Sequence, residues 1–195
     1  MDRHPTTSRL LHTLLNPLPW GKRPFDGLFA LALLVFVALK IPYLQLPFYW
    51  DESWSYAPAL HLMAERDLPS LLPGAIPPEN YRGHPLFFYF LGGCWLKVFG
   101  LSKLSFHVFA LCISLAAFGA LYLLGRRFFS PTVGFLAVVT CMVQSIFFVQ
   151  AAMVLPEMAV MGLVLAAFYG LFQLMVRKEI GLSDLISFQE KRAKV

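Results

Sequence analysis

Residues 104–124 read LSFHVFALCISLAAFGALYLL, twenty-one positions without Asp, Glu, Lys or Arg, followed at once by Gly125-Arg126-Arg127. A helix of that length rises about 30 Å, which matches the hydrocarbon layer of a bilayer. A basic pair just beyond such a run fixes one end of a span at a membrane face. The stretch therefore places the chain among all-α membrane proteins.

Working outward, comparable runs occupy residues 25–43, 133–153 and 158–176, the last ending at Arg177-Lys178. Of the 195 residues 58% are hydrophobic and 14% charged, whereas a soluble domain carries about 25% charged residues. The net charge of +5 does not point to nucleic acid, because the basic residues gather in short clusters beside apolar runs. About two dozen residues, four of them proline, precede the first run. That pattern does not fit a cleavable signal peptide, so the run is expected to remain as an anchor. Cys94, Cys112 and Cys141 are scattered through apolar stretches without metal-ligand spacing and are read as buried small hydrophobes.

The arm 1–24, with Arg3, Arg9, Lys22 and Arg23, is expected on the cytoplasmic face. Residues 44–103 then form a long extracytoplasmic loop. Within it residues 53–66 carry Tyr56, Leu60, Met63 and Ala64 at helical spacing, before Pro69, Pro73, Pro77 and Pro78 break the pattern. Residues 85–99 are apolar but only about 15 long, with two glycines and Lys97, which suits an interfacial helix better than a span. With four spans and that interfacial helix, all three basic clusters fall on one side of the membrane. The tail 177–195 is then cytoplasmic, and the hinge Val154-Leu155-Pro156-Glu157 faces outward.

This topology brings Asp51, Glu52, His84 and Glu157 to one interface from distant parts of the chain. An ionisable group at membrane depth survives mainly where it is paired or lines a polar cavity. Glu157 follows Pro156 in what should be the first turn of a helix, where the dipole favours an acid; a simple cap in the headgroup layer is the alternative. Asp51-Glu52 sits between Phe48-Tyr49-Trp50 and Trp54, with Tyr56 beyond. It is either an aromatic belt with two solvated acids or a carboxylate in an aromatic-walled pocket, where desolvation raises its basicity. Arg82 and His84 are placed to contact a lipid phosphate, while Lys40, Lys97 and Lys103 are expected to snorkel. His61 and Glu65 have a metal-compatible spacing but no third ligand, so no metal is expected. Gly119, Gly125, Gly162 and Gly170 would allow close helix packing.

The order of Trp50-Asp51-Glu52-Ser53-Trp54-Ser55-Tyr56-Ala57, Gly83-His84-Pro85-Leu86 and Leu155-Pro156-Glu157 resembles the GT-C membrane glycosyltransferases. The closest branch is the protein O-mannosyltransferase and aminoarabinose-transferase superfamily, and within it bacterial enzymes with RgtA/B/C/D-like domains. Residues 96–100 and 122–129 also read like connecting stretches of that group. The resemblance implies a glycosyltransferase that moves a sugar from a polyprenyl-phosphate donor to an extracytoplasmic acceptor with inversion. It implies Asp51 as general base, Glu52 as its support, Glu157 as the second acid and His84 near the donor phosphate. No cofactor is implied beyond the lipid-linked sugar as co-substrate.

Two departures stand out. The family's His-Pro-Pro is His84-Pro85-Leu86 here, and Trp54 stands near the place where aminoarabinose transferases carry a basic residue. Family members also have many more spans, so this chain reads as a truncated, split or partial GT-C module, a partner chain being one source of the missing spans. A non-catalytic membrane protein that binds polyprenyl lipid or a partner subunit is the alternative. A transporter fragment is disfavoured, because the acids gather at one interface and no span shows a Gly/Pro break.

Overall fold

The computed structural model describes residues 24–81, 84 and 86–192, and side chains within the final helix as far as Met175. The expected arm 1–23 and Arg82 lie outside the described residues. The chain forms α1 (Pro24–Lys40), α2 (Ala57–Glu65), α3 (Pro78–Tyr81), α4 (Leu86–Phe99) and α5 (Lys103–Phe128). These are followed by α6 (Pro131–Val143), α7 (Ser145–Gln150) and α8 (Glu157–Arg192). It is an all-α membrane protein. Among the described residues three stretches are long and apolar enough to cross a bilayer: Pro24–Tyr43, Lys103–Phe128 and Glu157–Met175.

Local sequence explains the helix ends. Ser102 accepts the Ser105 N–H at the start of α5, and Ser130 accepts the Val133 N–H with Pro131 in the first turn of α6; each side-chain oxygen satisfies an otherwise orphan amide. Between α5 and α6 the connection is so short that Gly125 and Gly134 meet backbone to backbone. A Cβ on Gly134 would lie 2.7 Å from the Tyr122 carbonyl oxygen and 2.8 Å from the Arg126 nitrogen. A Cβ added to Gly162 would stand in ordinary contact with Ala117, at 3.4 Å, whereas Gly119 and Gly170 face open space. Of the four glycines expected to allow close packing, only Gly125 sits where a neighbouring backbone leaves no room for a side chain.

The main departure from the expected spans is the third. Residues 133–153 were expected to be one span, but α6 stops at Val143 and Gln144 takes an extended conformation (φ −67°, ψ 129°). Its N–H closes the end of α6 on the Thr140 and Cys141 carbonyls, and its own carbonyl accepts the Phe148 N–H to start α7. One residue thus ends one helix and begins the next without glycine or proline. The last helix departs too, continuing to Arg192 beyond the end of its apolar run.

Two cores result. The first joins α2, α4 and the early turns of α5 around Leu60, Met63, Tyr89, Leu96 and Phe109. Gly92 and Gly93 make it possible, since a Cβ on either would collide with Leu60 or Met63. Trp95 donates to the Ser105 carbonyl at 3.1 Å and pins α4 to the start of α5. The second core joins α1, α5 and α6 through aromatic rings: Phe29 stacks on Tyr122 at 4.1 Å, and Phe36 meets Phe118 and Phe148 edge-on. Such ring pairs add about 0.5–1.5 kcal/mol each beyond the area they bury. In lipid, packing of this kind replaces the hydrophobic drive between helices.

The contacts also fix direction. Asp26 at the start of α1 meets Tyr122 and Arg126 at the end of α5, and Leu44 just after α1 meets His107 near the start of α5. Those two helices are antiparallel, so the 60 or so residues between them begin and end at the same end of the bundle. α4 lies along the first turns of α5 and does not carry the chain across. The expected cysteine burial is not met. Cys112 is exposed and Cys94 and Cys141 are partly buried, all three free; an apolar thiol faces lipid as readily as it faces a core.

Candidate functional site

The site forms where irregular segments meet at the end of the bundle that carries Asp51. After α1 a short 3₁₀ turn, Ile41–Tyr43, redirects the chain at Pro42. The chain then turns through Leu44–Leu46 and runs without regular structure to Trp50, which adopts φ 47°. A left-handed conformation costs a residue with a Cβ about 1–2 kcal/mol, and strain of this kind tends to persist where function requires it. It turns the chain directly into Asp51 and a π-helical turn, Glu52–Tyr56.

Adjacent residues on a helical turn do not share a face, and the two acids accordingly separate. Glu52 points inward and is 2% exposed. Its Oε2 accepts the Tyr49 N–H at 3.0 Å, its Oε1 accepts the Val154 N–H at 2.6 Å, and His107 Nε2 lies 3.4 Å from Oε1. His107 is itself buried, with Nδ1 donating to the Leu44 carbonyl at 2.8 Å. Glu52 therefore ties the Tyr49–Asp51 turn, the start of α5 and the segment before Glu157 to one another.

Asp51 lines a different space. It faces a cavity of about 420 Å³ with Trp50, Ser145, Gln150 and Leu155 among the walls. A second cavity of similar volume holds Lys40, Phe48, Glu52, His107 and Phe148, and the two share Tyr49, Val149 and Met153. The break at Gln144 matters here, because α7 and the turn after it supply the far wall of both cavities. Glu157 begins α8 two residues beyond Leu155 and is exposed.

The remaining sequence candidates divide. Tyr56 and His84 come together, with the Tyr56 hydroxyl 3.0 Å from His84 Nε2 and the rings 5.3 Å apart. Tyr56 belongs to the α2–α4 core and lines neither Asp51 cavity nor the Glu52 pocket. Trp54 is 79% exposed and walls none of these spaces. The two acids thus line two adjoining cavities, one for each acid. His61 and Glu65 bond to each other at 2.8 Å, and among the described residues no three metal-ligating side chains gather.

A family model for dolichyl-phosphate-mannose-protein mannosyltransferases matches residues 83–187, more than half of the chain. The chain belongs to that mannosyltransferase family. It is a membrane glycosyltransferase of the GT-C kind. No curated protein and no solved structure matches the chain.

The mannosyltransferase match includes His84, His107 and Glu157 and covers α4 to α7 and most of α8. Asp51 and Glu52 precede it, so the link between them and the matched part is physical: the hydrogen bond from Val154 to Glu52. Sequence reasoning missed Lys40 and His107. Lys40 was expected to snorkel and is instead 2% exposed within the wall of a cavity. His107 was available as a signal, being the one histidine in the apolar stretch 104–124, which has no Asp, Glu, Lys or Arg.

Proposed function

We propose that this chain carries an inverting glycosyltransferase site that uses a polyprenyl-phosphate sugar, facing away from the cytoplasm. The observation that carries the reading is the placement of Asp51 in a cavity whose opposite wall leads into Pro156-Glu157. A carboxylate in the wall of a space open to ligand is what a base held beside an acceptor and a sugar requires.

In this reading the acceptor hydroxyl attacks the anomeric carbon while Asp51 takes its proton. The bond from that carbon to the phosphate oxygen breaks, its electron pair leaves with the lipid phosphate, and the configuration inverts. Asp51 is partly exposed and can exchange its proton with solvent afterwards. Glu52 does not act as a second base, since its oxygens are engaged by two backbone amides and His107. It is a positioning residue that holds the Asp51 turn in register with the segment before Glu157. His84, with Tyr56, sits at the foot of α4 and is assigned to substrate contact, as is Trp50 beside Asp51. Arg82, two residues before His84 in sequence, is assigned to the same role.

The test is transfer of labelled sugar from polyprenyl-phosphate donors in membranes containing the chain, together with any partner spans encoded beside it. Donor-dependent transfer is expected for the wild type, and Asp51→Asn is expected to lower it by at least about a hundredfold, the usual contribution of a general base. Equal transfer by both would remove Asp51 from the reaction.

A further inference from the structure

Lys40 is among the largest fully buried side chains in the protein. Its ammonium lies 3.6 Å from the centre of the Phe148 ring, with Tyr43 and Phe36 at 5.4 and 5.5 Å. Among the described residues it forms no ion pair. Rings hold a cation by their quadrupole but carry no net charge, so they orient the ammonium without neutralising it. A desolvated charge lacking a counter-charge is costly, and the side chain opens onto the cavity it shares with Glu52 and His107.

Glu52 is the nearest acid in that cavity, yet it does not balance Lys40. Its lone pairs are taken by the Tyr49 and Val154 amides and by His107, and no contact to Lys40 falls within ion-pair distance. The remaining walls, Leu46, Pro47, Phe48, Val149, Ala152 and Met153, are mostly apolar. A cavity of about 420 Å³ lies within the ordinary range for small-ligand sites, about 300–1,000 Å³. It thus offers one uncompensated cation at its edge and hydrocarbon along its length. The occupant that fits is an amphiphile with an anionic head. Because this cavity adjoins the one holding Asp51 through Tyr49, Val149 and Met153, the head would lie one wall away from the base.

We propose that Lys40 receives the phosphate of the lipid donor, with the first part of the hydrocarbon chain along Phe148 and Val149. This rests on the donor class in the reading above and adds to it the residue and the cavity. When the bond to the sugar breaks, the negative charge that grows on the departing phosphate oxygen falls beside the Lys40 ammonium, where a fixed cation is worth most. The broken helix at Gln144 is then the structural means by which Phe148 and Val149 reach Lys40.

The full chain in neutral-lipid nanodiscs would be titrated with farnesyl phosphate, farnesol and inorganic phosphate. Wild type is expected to bind farnesyl phosphate at least about tenfold more tightly than farnesol, the equivalent of one charge-assisted hydrogen bond. Lys40→Met, which keeps an unbranched chain in the aromatic cage, is expected to lose that preference while holding farnesol as before; Lys40→Arg should retain part of it. Retained farnesol binding shows that the cavity is intact in the variant. If Lys40→Met keeps the full phosphate preference, Lys40 is not the phosphate ligand and only this inference fails. If inorganic phosphate binds as tightly as farnesyl phosphate, the site is a plain anion site and the lipid occupant is wrong. If wild type shows no preference for farnesyl phosphate at all, the lipid-phosphate reading itself falls.

Discussion

Asp26 and Glu52 are both buried carboxylates, at opposite ends of the antiparallel pair α1 and α5, and their surroundings differ in kind. Asp26 is held by side chains of one regular helix. The Tyr122 hydroxyl donates to it at 2.5 Å and Arg126 lies 3.4 Å away, one turn further on. Glu52 is held mainly by main-chain amides from two irregular segments, Tyr49 before it and Val154 far along the chain. The first arrangement locks two helices that are already straight. The second fixes loops that would otherwise have no reason to keep their places. A buried acid clamped by helix side chains therefore reads as architecture, and one clamped by loop amides reads as the frame of a site.

The largest effect should come from removing each acid in turn. Breaking a buried charged contact by deleting one partner costs about 3–5 kcal/mol, so Glu52→Ala and Asp26→Ala should both lower the thermal midpoint in detergent markedly. They should part company in a second measurement. Glu52→Ala should expose residues 144–156 to limited proteolysis, whereas Asp26→Ala should leave that segment protected. Equal protection in both variants would collapse the distinction between clamp and frame.

Tyr122→Phe is a milder probe of the Asp26 end. It removes one hydrogen bond to a charged group, worth about 1.5–3 kcal/mol, and keeps the ring stacked on Phe29. The loss should appear in unfolding without change in farnesyl phosphate binding. Gly134→Ala should cost about 1–3 kcal/mol by overpacking, because the obstruction includes the Tyr122 carbonyl and the Arg126 backbone nitrogen, which cannot swing aside. Gly119→Ala, facing open space, is the matched control and should be tolerated.

Trp50→Gly should have the smallest effect on stability and the opposite sign. Relief of the left-handed conformation should raise stability by about 1 kcal/mol, since the indole is 71% exposed and contributes little packing. Sugar transfer should fall in the same variant as Asp51 loses its fixed turn. A variant both less stable and fully active would show that the φ of 47° serves the fold rather than the site.

Much of the fold was legible because hydrophobic run length is a direct signal. The helices expected to begin near residues 25, 104 and 158 begin at Pro24, Lys103 and Glu157. The helix expected over residues 53–66 is present, entered through a π turn. The break at Gln144 left only a faint mark in composition, the polar pair Gln144-Ser145 within an otherwise apolar stretch, with no glycine or proline to announce it. It depends instead on where Val154 must be for Glu52, a contact across 102 positions that no local pattern records. The separation of Asp51 from Glu52 was readable in principle, because neighbours on a helical turn point apart. Lys40 was not, because a lysine near the end of an apolar run looks the same whether it snorkels or turns inward; only the rings of Tyr43 and Phe148 decide.

The exposed indoles have a practical consequence. Trp50 flanks Asp51, Trp54 lies one turn further on, and Trp95 is tucked against Phe99 and Ser105. A variant lacking Trp20 and Trp95 would emit light only from beside the candidate base, so the protein brings its own lamp to the place where occupancy is to be watched.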